Sequence, residues 1–314
     1  MGKHVVVVGS LNLDLVVRPR RAPAAGETVF APALERYPGG KGGNQAVAAA
    51  RLGVPVAMVG CVGADGFGDE LVANLVADGV RISAVAHSET AGTGTALITV
   101  DATGQNRIVV ISGANAQVTP SLVEQHADLI ESAAAILLQL EIPVEACLQA
   151  AEIAAAAGVP VILDPAPAPP PGEPLPARLC ELAWLVTPNE TEASVMTGLP
   201  VEGRAGVPEV AAALRAQGFQ RVIVKAGGAG AYLCTDAGGI WYDSFQVPVV
   251  DTTAAGDAFA GGLAAALALG LPLEQAVVWG SAAGALAVTR PGAQPSMGTL
   301  AELKALIDES RRDQ

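Results

Sequence analysis

The chain has 314 residues, 18 Lys and Arg against 31 Asp and Glu, and a net charge of −13. So acidic a chain is a poor partner for nucleic acid, whose phosphates call for clustered Lys and Arg, and equally for anionic lipid. Hydrophobic residues make up 51 % and charged ones 16 %, a globular composition with length for a substantial core in one large domain or two small ones.

In chain order, short β-branched runs alternate with alanine-rich stretches. Residues 5–8, 56–59, 136–140, 161–163, 184–186 and 222–224 read as buried strands, apolar enough for a sheet covered on both faces. Residues 45–52, 69–77, 120–132, 144–157, 190–197 and 207–216 read as helices between them. This alternation predicts a three-layer α/β fold with a mostly parallel sheet. The last part changes rhythm, with two small-residue helices at 258–269 and 273–288 and an amphipathic one at 300–309. Two regions break the alternation: residues 13–37 and 93–111 read as hairpins of a separate small β layer, with a turn at Asp101-Ala102-Thr103-Gly104. The proline run at 165–176 reads as a loop after the fourth strand, a linker being the alternative.

Cys61, Cys147, Cys180 and Cys234 form no CxxC pair, and with three scattered histidines they make neither a zinc cluster nor a secreted disulfide framework. The opening valine run is too short for a signal-peptide core, and Val6 stands where a myristoylation pattern needs Ser or Thr. The most membrane-like stretch, 258–271, is bounded by Asp257 and Pro272 and reads as a buried helix. A soluble, cytoplasmic protein is expected.

Only four basic residues are lysines, and two of them, Lys41 and Lys225, sit in glycine-rich stretches. Neither stretch is a P-loop, because Lys41 is followed by glycine rather than Ser or Thr. The first strand leads into Gly9-Ser10-Leu11-Asn12, whose single glycine lacks the dinucleotide fingerprint and disfavours an NAD-linked dehydrogenase. Alone, Gly39-Gly40-Lys41-Gly42-Gly43 is a flexible turn before a helix from Gln45, with Asn44 as N-cap.

The stretch from Asp251 through Gly256-Asp257 to Phe259 says more, because a glycine and an acid stand at the mouth of a long helix. The amides of Ala255, Gly256 and Asp257 would face an anion there, and an acid in such a place suits proton abstraction better than capping. In Thr187-Pro188-Asn189-Glu190-Thr191-Glu192, Thr187 and Glu190 read as a capping box. Asn189 and Glu192 share a helix face and either hold Mg²⁺ through waters or mark a solvated helix start. Asn12, Asp14 and Glu141 follow strands, at the sheet edge where ligands bind, and with Lys41 and Asn44 suit a polyhydroxy ligand.

With these stretches, and with Val288-Thr289-Arg290-Pro291-Gly292-Ala293-Gln294-Pro295-Ser296, the chain closely resembles the phosphofructokinase-B-type carbohydrate kinases over nearly its whole length. The Gly-Asp helix start points to the superfamily; Gly-Gly-Lys-Gly-x-Asn-Gln and Gly-Ala-Gln-Pro-Ser narrow it to the ribose-phosphorylating branch. The resemblance implies one α/β/α domain over 1–314 with a β-sheet lid from 13–37 and 93–111, paired with a second subunit's lid in a homodimer. It implies transfer from ATP to the 5-hydroxyl of D-ribose. Asn12, Asp14, Gly40, Lys41, Gly42, Gly43, Asn44 and Glu141 would line the sugar site. Asp257 would be the base, with the amides of Ala255 and Gly256 as anion hole. Asn189 and Glu192 would serve the phosphates and Mg²⁺. Lys225, Ala226, Gly227, Gly228, Ala229, Gly230, Gly256 and Ser281 would follow the nucleotide. Asp251, Thr253, Ala287, Arg290, Gly292 and Ser296 would hold a monovalent cation, K⁺.

Lys225 departs from the family, which often has Thr there; its charge either meets the phosphates or points elsewhere. Ala255 and Gly43 are mild variants. A sister kinase for deoxyribose, fructose or a nucleoside is the nearest alternative. A non-catalytic sugar-binding regulator is disfavoured by retention of Gly256 and Asp257.

Overall fold

The computed structural model describes residues 4–170 and 172–312. Its strands are β1 (Val5–Val8), β2 (Asn12–Val17), β3 (Leu34–Gly39), β4 (Val56–Gly63), β5 (Arg81–Ser88), β6 (Gly94–Val100), β7 (Asn106–Ile111), β8 (Ala135–Gln139), β9 (Val161–Asp164), β10 (Leu185–Val186), β11 (Val222–Lys225), β12 (Ala231–Thr235) and β13 (Gly238–Tyr242). The helices are α1 (Lys41–Arg51), α2 (Gly66–Ala77), α3 (Pro120–Glu124), α4 (Ala127–Glu131), α5 (Val144–Ala156), α6 (Ala177–Leu182), α7 (Glu190–Thr197), α8 (Gly203–Ala216), α9 (Ala255–Ala268), α10 (Leu273–Ala287) and α11 (Leu300–Ser310).

Nine strands make one sheet in the order β13-β12-β11-β10-β9-β8-β1-β4-β5. It is parallel except where β12 pairs antiparallel with β11 and β13. Side chains of β1 alternate between two cores: Val5 and Val7 join α1, α2, α9, α10 and α11, while Val6 and Val8 join the layer of α3 to α8. That alternation creates three layers and explains why the strand sequences are apolar at consecutive positions. The remaining strands form a separate sheet in the order β3-β2-β6-β7, as the broken alternation at 13–37 and 93–111 predicts.

Several elements differ from the sequence reading, the unpredicted helix α6 (Ala177–Leu182) among them. The 120–132 helix is two five-residue helices, because His126 between them leaves the helical region at φ −119° and ψ 24°. Strand β5 and the β12–β13 hairpin go unpredicted: β5 is a half-exposed edge of mixed polarity, and the hairpin's second strand opens on two glycines. The loop reading of 165–176 holds for its described residues; Pro171 lies outside them. The apolar stretch before Pro272 is the buried helix α9, and among the described residues no helix is long and apolar enough to cross a membrane.

After β1 the parallel strands run outward to β4 and β5, and the chain then returns to build β8 to β11 on the other side. A crevice opens at such a reversal, beyond the strand carboxyl ends.

Candidate active site

The glycine-rich stretch is not a loose turn. Helix α1 starts at Lys41, four residues earlier than predicted, and its N-cap is Gly40 at φ +80°. A Cβ on Gly40 would meet Asn12 N at 2.6 Å, and one on Gly42 would meet Gly9 C and Ser10 N at 2.7 Å. The helix therefore lies against the loop after β1, closer than any side chain permits. Gly43 N donates to Ser10 O at 2.9 Å, and Gly42 N reaches Ser10 Oγ at 3.4 Å.

Asn44 is thus inside the helix rather than its N-cap, and its Nδ2 donates to Asp257 Oδ2 at 2.9 Å. Gln45, next along, donates through Nε2 to Asp257 Oδ1 at 3.2 Å. Glu141, just after β8, accepts at Oε2 from Ser10 Oγ at 2.5 Å and from the Lys41 amide at 3.1 Å. Burial lowers the pKa of the Lys41 ammonium, but Asp257, Asp164, Glu141 and Glu192 together outweigh it and leave it raised. Lys41 borders a cleft that Asp257 also lines.

Asn12 and Asp14 lie on β2 of the small sheet. Asn12 Oδ1 accepts from Asn115 Nδ2 at 2.7 Å. Burial, then the charges of Glu141 and Asp257, pushes Asp14 up to about 7. Burial also raises Asp257 and Glu192. Carboxylates raised on folding hold more protons in the folded chain than in the unfolded one between about pH 4 and about pH 7. Stability therefore falls as pH rises through that window. The melting temperature should drop from about pH 5 to about pH 8, and the drop should be shallower in Asp14→Asn; an unchanged slope in that variant would refute the role of Asp14.

Helix α9 opens on Ala254 in the left-handed region at φ 58°, the one such residue besides glycine among those described. This turn points the helix mouth into the cleft. Ala255 N reaches Thr252 O at 3.3 Å, whereas the amides of Gly256 and Asp257 have no backbone acceptor among the described residues. The mouth is therefore centred on residues 256 and 257, with Ala255 partly engaged. Asp257 is 5 % exposed.

On the far side of Asp257 is a cleft of about 490 Å³, within the usual range for a small-molecule site. Lys225, Gly227, Gly228, Gly230, Gly256 and Ser281 border it. Ala226 and Ala229 instead pack into the core. Ser281 Oγ has no hydrogen-bond partner among the described residues. Asn189 and Glu192 also line the cleft, but they, rather than Thr187 and Glu190, form the capping box. Glu192 N donates to Asn189 Oδ1 at 2.8 Å, and Asn189 N donates to Glu192 Oε2 at 2.7 Å. Thr187 does not cap because it lies two residues before the N-cap Asn189, fully buried.

Among the described residues no group of three or more His, Cys, Asp or Glu is arranged to hold a metal. Asn189 and Glu192 are oxygen-bearing side chains at the edge of the cleft, a pair that would leave most of a Mg²⁺ shell to phosphate and water. Among the positions expected to hold a monovalent cation, Asp251 Oδ2 accepts from Gly292 N at 2.9 Å and Oδ1 from Thr253 N at 2.9 Å. Burial opposes ionisation of Asp251, but a hydrogen bond from Thr253 Oγ1 to Oδ1 at 2.6 Å, with the two amide bonds, outweighs it and lowers its pKa. The carboxylate clasps the two segments together. Ala287 is buried just upstream, the Arg290 side chain pairs with Glu302, and Ser296 donates to Ala293 O at 2.7 Å.

Four residues beyond the predicted set join the site. Asp164, at the end of β9, accepts from Lys225 Nζ at 2.8 Å and from Gln45 Nε2 at 2.9 Å. Gln139 Nε2 donates to Gln45 Oε1 at 2.7 Å, and Asn115 holds Asn12. Asp164 had a signal in the sequence, as the acid ending a buried apolar strand. Asn115, in a short 3₁₀ turn, had none.

A family model described as pfkB family carbohydrate kinase matches residues 2–300. The chain belongs to that family. It is 39 % identical over 308 residues to the ribokinase of Bacillus subtilis, covering 97 % of this chain and 99 % of the relative. It is 38 % identical over 311 residues to a bifunctional ribokinase/ribose-5-phosphate isomerase A of Fructilactobacillus sanfranciscensis, covering 98 % of this chain and 57 % of that protein. A solved structure of Arabidopsis thaliana ribokinase complexed with ribose and ATP matches at TM-score 0.90 and 34 % identity, covering 98 % of this chain and 99 % of the other. Fold and family agree with the resemblance read from the motifs.

Proposed function

We propose that this carbohydrate kinase transfers the γ-phosphoryl group of ATP to the 5-hydroxyl of D-ribose, giving ribose 5-phosphate and ADP. The observation that carries the reading is Asp257, buried at the α9 mouth and gripped by Asn44 and Gln45 between the sugar-side residues and the cleft. Burial keeps its pKa raised, which suits a base working near neutrality. Asp257 takes the hydroxyl proton while the sugar oxygen attacks the γ-phosphorus in line, and the bond to ADP breaks. The amides of Gly256 and Asp257 stabilise charge on the transferring group. Asn12, Asp14, Lys41 and Glu141 orient the sugar hydroxyls. Asn189 and Glu192 would hold Mg²⁺, which neutralises phosphate charge when bound. The clasped segments at 251–253 and 287–296 would hold K⁺ and so fix the turn that opens α9.

The β3-β2-β6-β7 sheet would act as a lid that excludes water, a competitor for the phosphoryl group. Its outer strand β7 exposes Ile108, Val109, Val110 and Ile111, an apolar surface that supports pairing with a second lid in a homodimer. The free cysteines are compatible with the reducing cytoplasm.

A panel of ribose, deoxyribose, fructose and adenosine with ATP and Mg²⁺, with and without K⁺, tests the reading. Ribose should be turned over fastest and be stimulated by K⁺. Preference for fructose or adenosine would remove the substrate assignment, and indifference to K⁺ would remove the cation site.

A further inference from the structure

A charge pair lies beside the proposed reaction centre. Lys225 Nζ donates to Asp164 Oδ1 at 2.8 Å, and the two side chains are 13 % and 1 % exposed. The other Asp164 oxygen, Oδ2, accepts from Gln45 Nε2 at 2.9 Å. The same Gln45 amide reaches Asp257 Oδ1 at 3.2 Å. Gln139 Nε2 donates to the Gln45 carbonyl oxygen at 2.7 Å, which fixes the amide's orientation. One carboxylate thus orders two groups: the Lys225 ammonium directly, and the Asp257 carboxylate through a single amide.

The ammonium is placed at the helix mouth. Lys225 borders the cleft with Gly256, and a Cβ built on Gly256 would lie 3.2 Å from Lys225 Nζ. A buried ion pair is weak evidence for stability, because desolvation offsets the attraction. Both residues border the cleft, but the acid is the more deeply buried and the cation the more open to it. That arrangement aims the cation at an anionic ligand, in a molecule of net charge −13 that lacks a broad positive field.

We propose that Lys225 contacts the terminal phosphates of the nucleotide as a cation, and that Asp164 is a positioning residue that holds both Lys225 and, through Gln45, the base Asp257. This rests on the kinase reading. It resolves the departure at position 225: a charge stands where the family often has a hydroxyl, with a buried acid to hold it.

The test compares wild type, Lys225→Thr, Asp164→Asn and the double variant. The readouts are calorimetric ATP affinity with Mg²⁺ and without sugar, kcat and KM for ATP with ribose, and melting temperature. Lys225→Thr should weaken ATP binding about 10²-fold, because it removes a cation and leaves the buried Asp164 carboxylate unpaired at the edge of the cleft. Asp164→Asn should lower kcat at saturating ATP about 10-fold as Lys225 and Asp257 both loosen. The double variant restores neutrality, so it should regain the melting temperature lost by Lys225→Thr while ATP binding stays about 10-fold weak. Wild-type ATP affinity and kcat in the double variant would show a purely structural pair and overturn the proposal. So would unchanged ATP affinity in Lys225→Thr, or unchanged kcat in Asp164→Asn. Absence of sugar turnover by the wild type would defeat the kinase reading instead, since ATP titration reads Lys225 separately.

Discussion

Asp257→Asn should leave the fold intact and lose at least about 10²-fold in turnover, as expected when a positioned general base is removed. The carboxamide has nearly the same volume, and losing a buried charge relieves the desolvation that raises the Asp257 pKa. Against this, Asn44 Nδ2 and Gln45 Nε2 both donate to Asp257, and an amide can accept only from the side of its oxygen. The mismatched donor costs about 1–3 kcal/mol, which a chain of this size absorbs. Sugar and ATP affinities should change little, so the loss falls on kcat. Single-turnover kinetics with a melting curve on the same sample separate chemistry from folding. Near-normal turnover would remove Asp257 as base.

Gly42→Ala carries the second large effect, and here two physical terms disagree in sign. Helix propensity alone favours alanine by about 1 kcal/mol. The close approach opposes it, because the new Cβ would lie 2.7 Å from Gly9 C and Ser10 N and 2.8 Å from Ser10 O. Those atoms are backbone leading directly out of β1, which is paired on both sides. They cannot turn aside as a flexible side chain would. The clash should win, destabilising the protein by about 2–3 kcal/mol in urea denaturation. Displacing α1 also shifts Lys41, Asn44 and Gln45 together, so KM for the sugar should rise about 10-fold. A neutral or stabilised Gly42→Ala would refute the tight contact.

The long elements were legible because they repeat a simple physical requirement. A strand buried on both faces must be apolar at every position, and β1, β8, β9 and β11 are almost entirely so. Strand β5 answers to one neighbour and half to water, so its polarity is mixed. At the site, Asp257 and Asn44 were legible because polar groups there interrupt patterns. The capping box was misread by two residues, since Thr187 and Asn189 are both good caps by type and only the end of β10 decides between them. The start of α1 was misread because glycine is a poor helix former, and the contact that overrides propensity involves Ser10, distant in sequence. The Asp164–Lys225 pair was hidden for the same reason: each residue ends a different strand, and their meeting exists only once β10 has been laid between β9 and β11.

The place of β1 sets the order in which the molecule can be assembled. Val5 pairs with Val56 on one side and with Ala135 on the other. On a ribosome adding about 5–20 residues per second, β1 waits on the order of ten seconds for its second neighbour, β8. Until then it is an exposed, wholly apolar edge, the kind that pairs with other chains. Since β8 also carries Glu141 and Gln139 into place, no N-terminal fragment ending before β8 possesses the pocket. Production of the protein should therefore depend more on chaperone supply and growth temperature than the stability of the finished fold suggests.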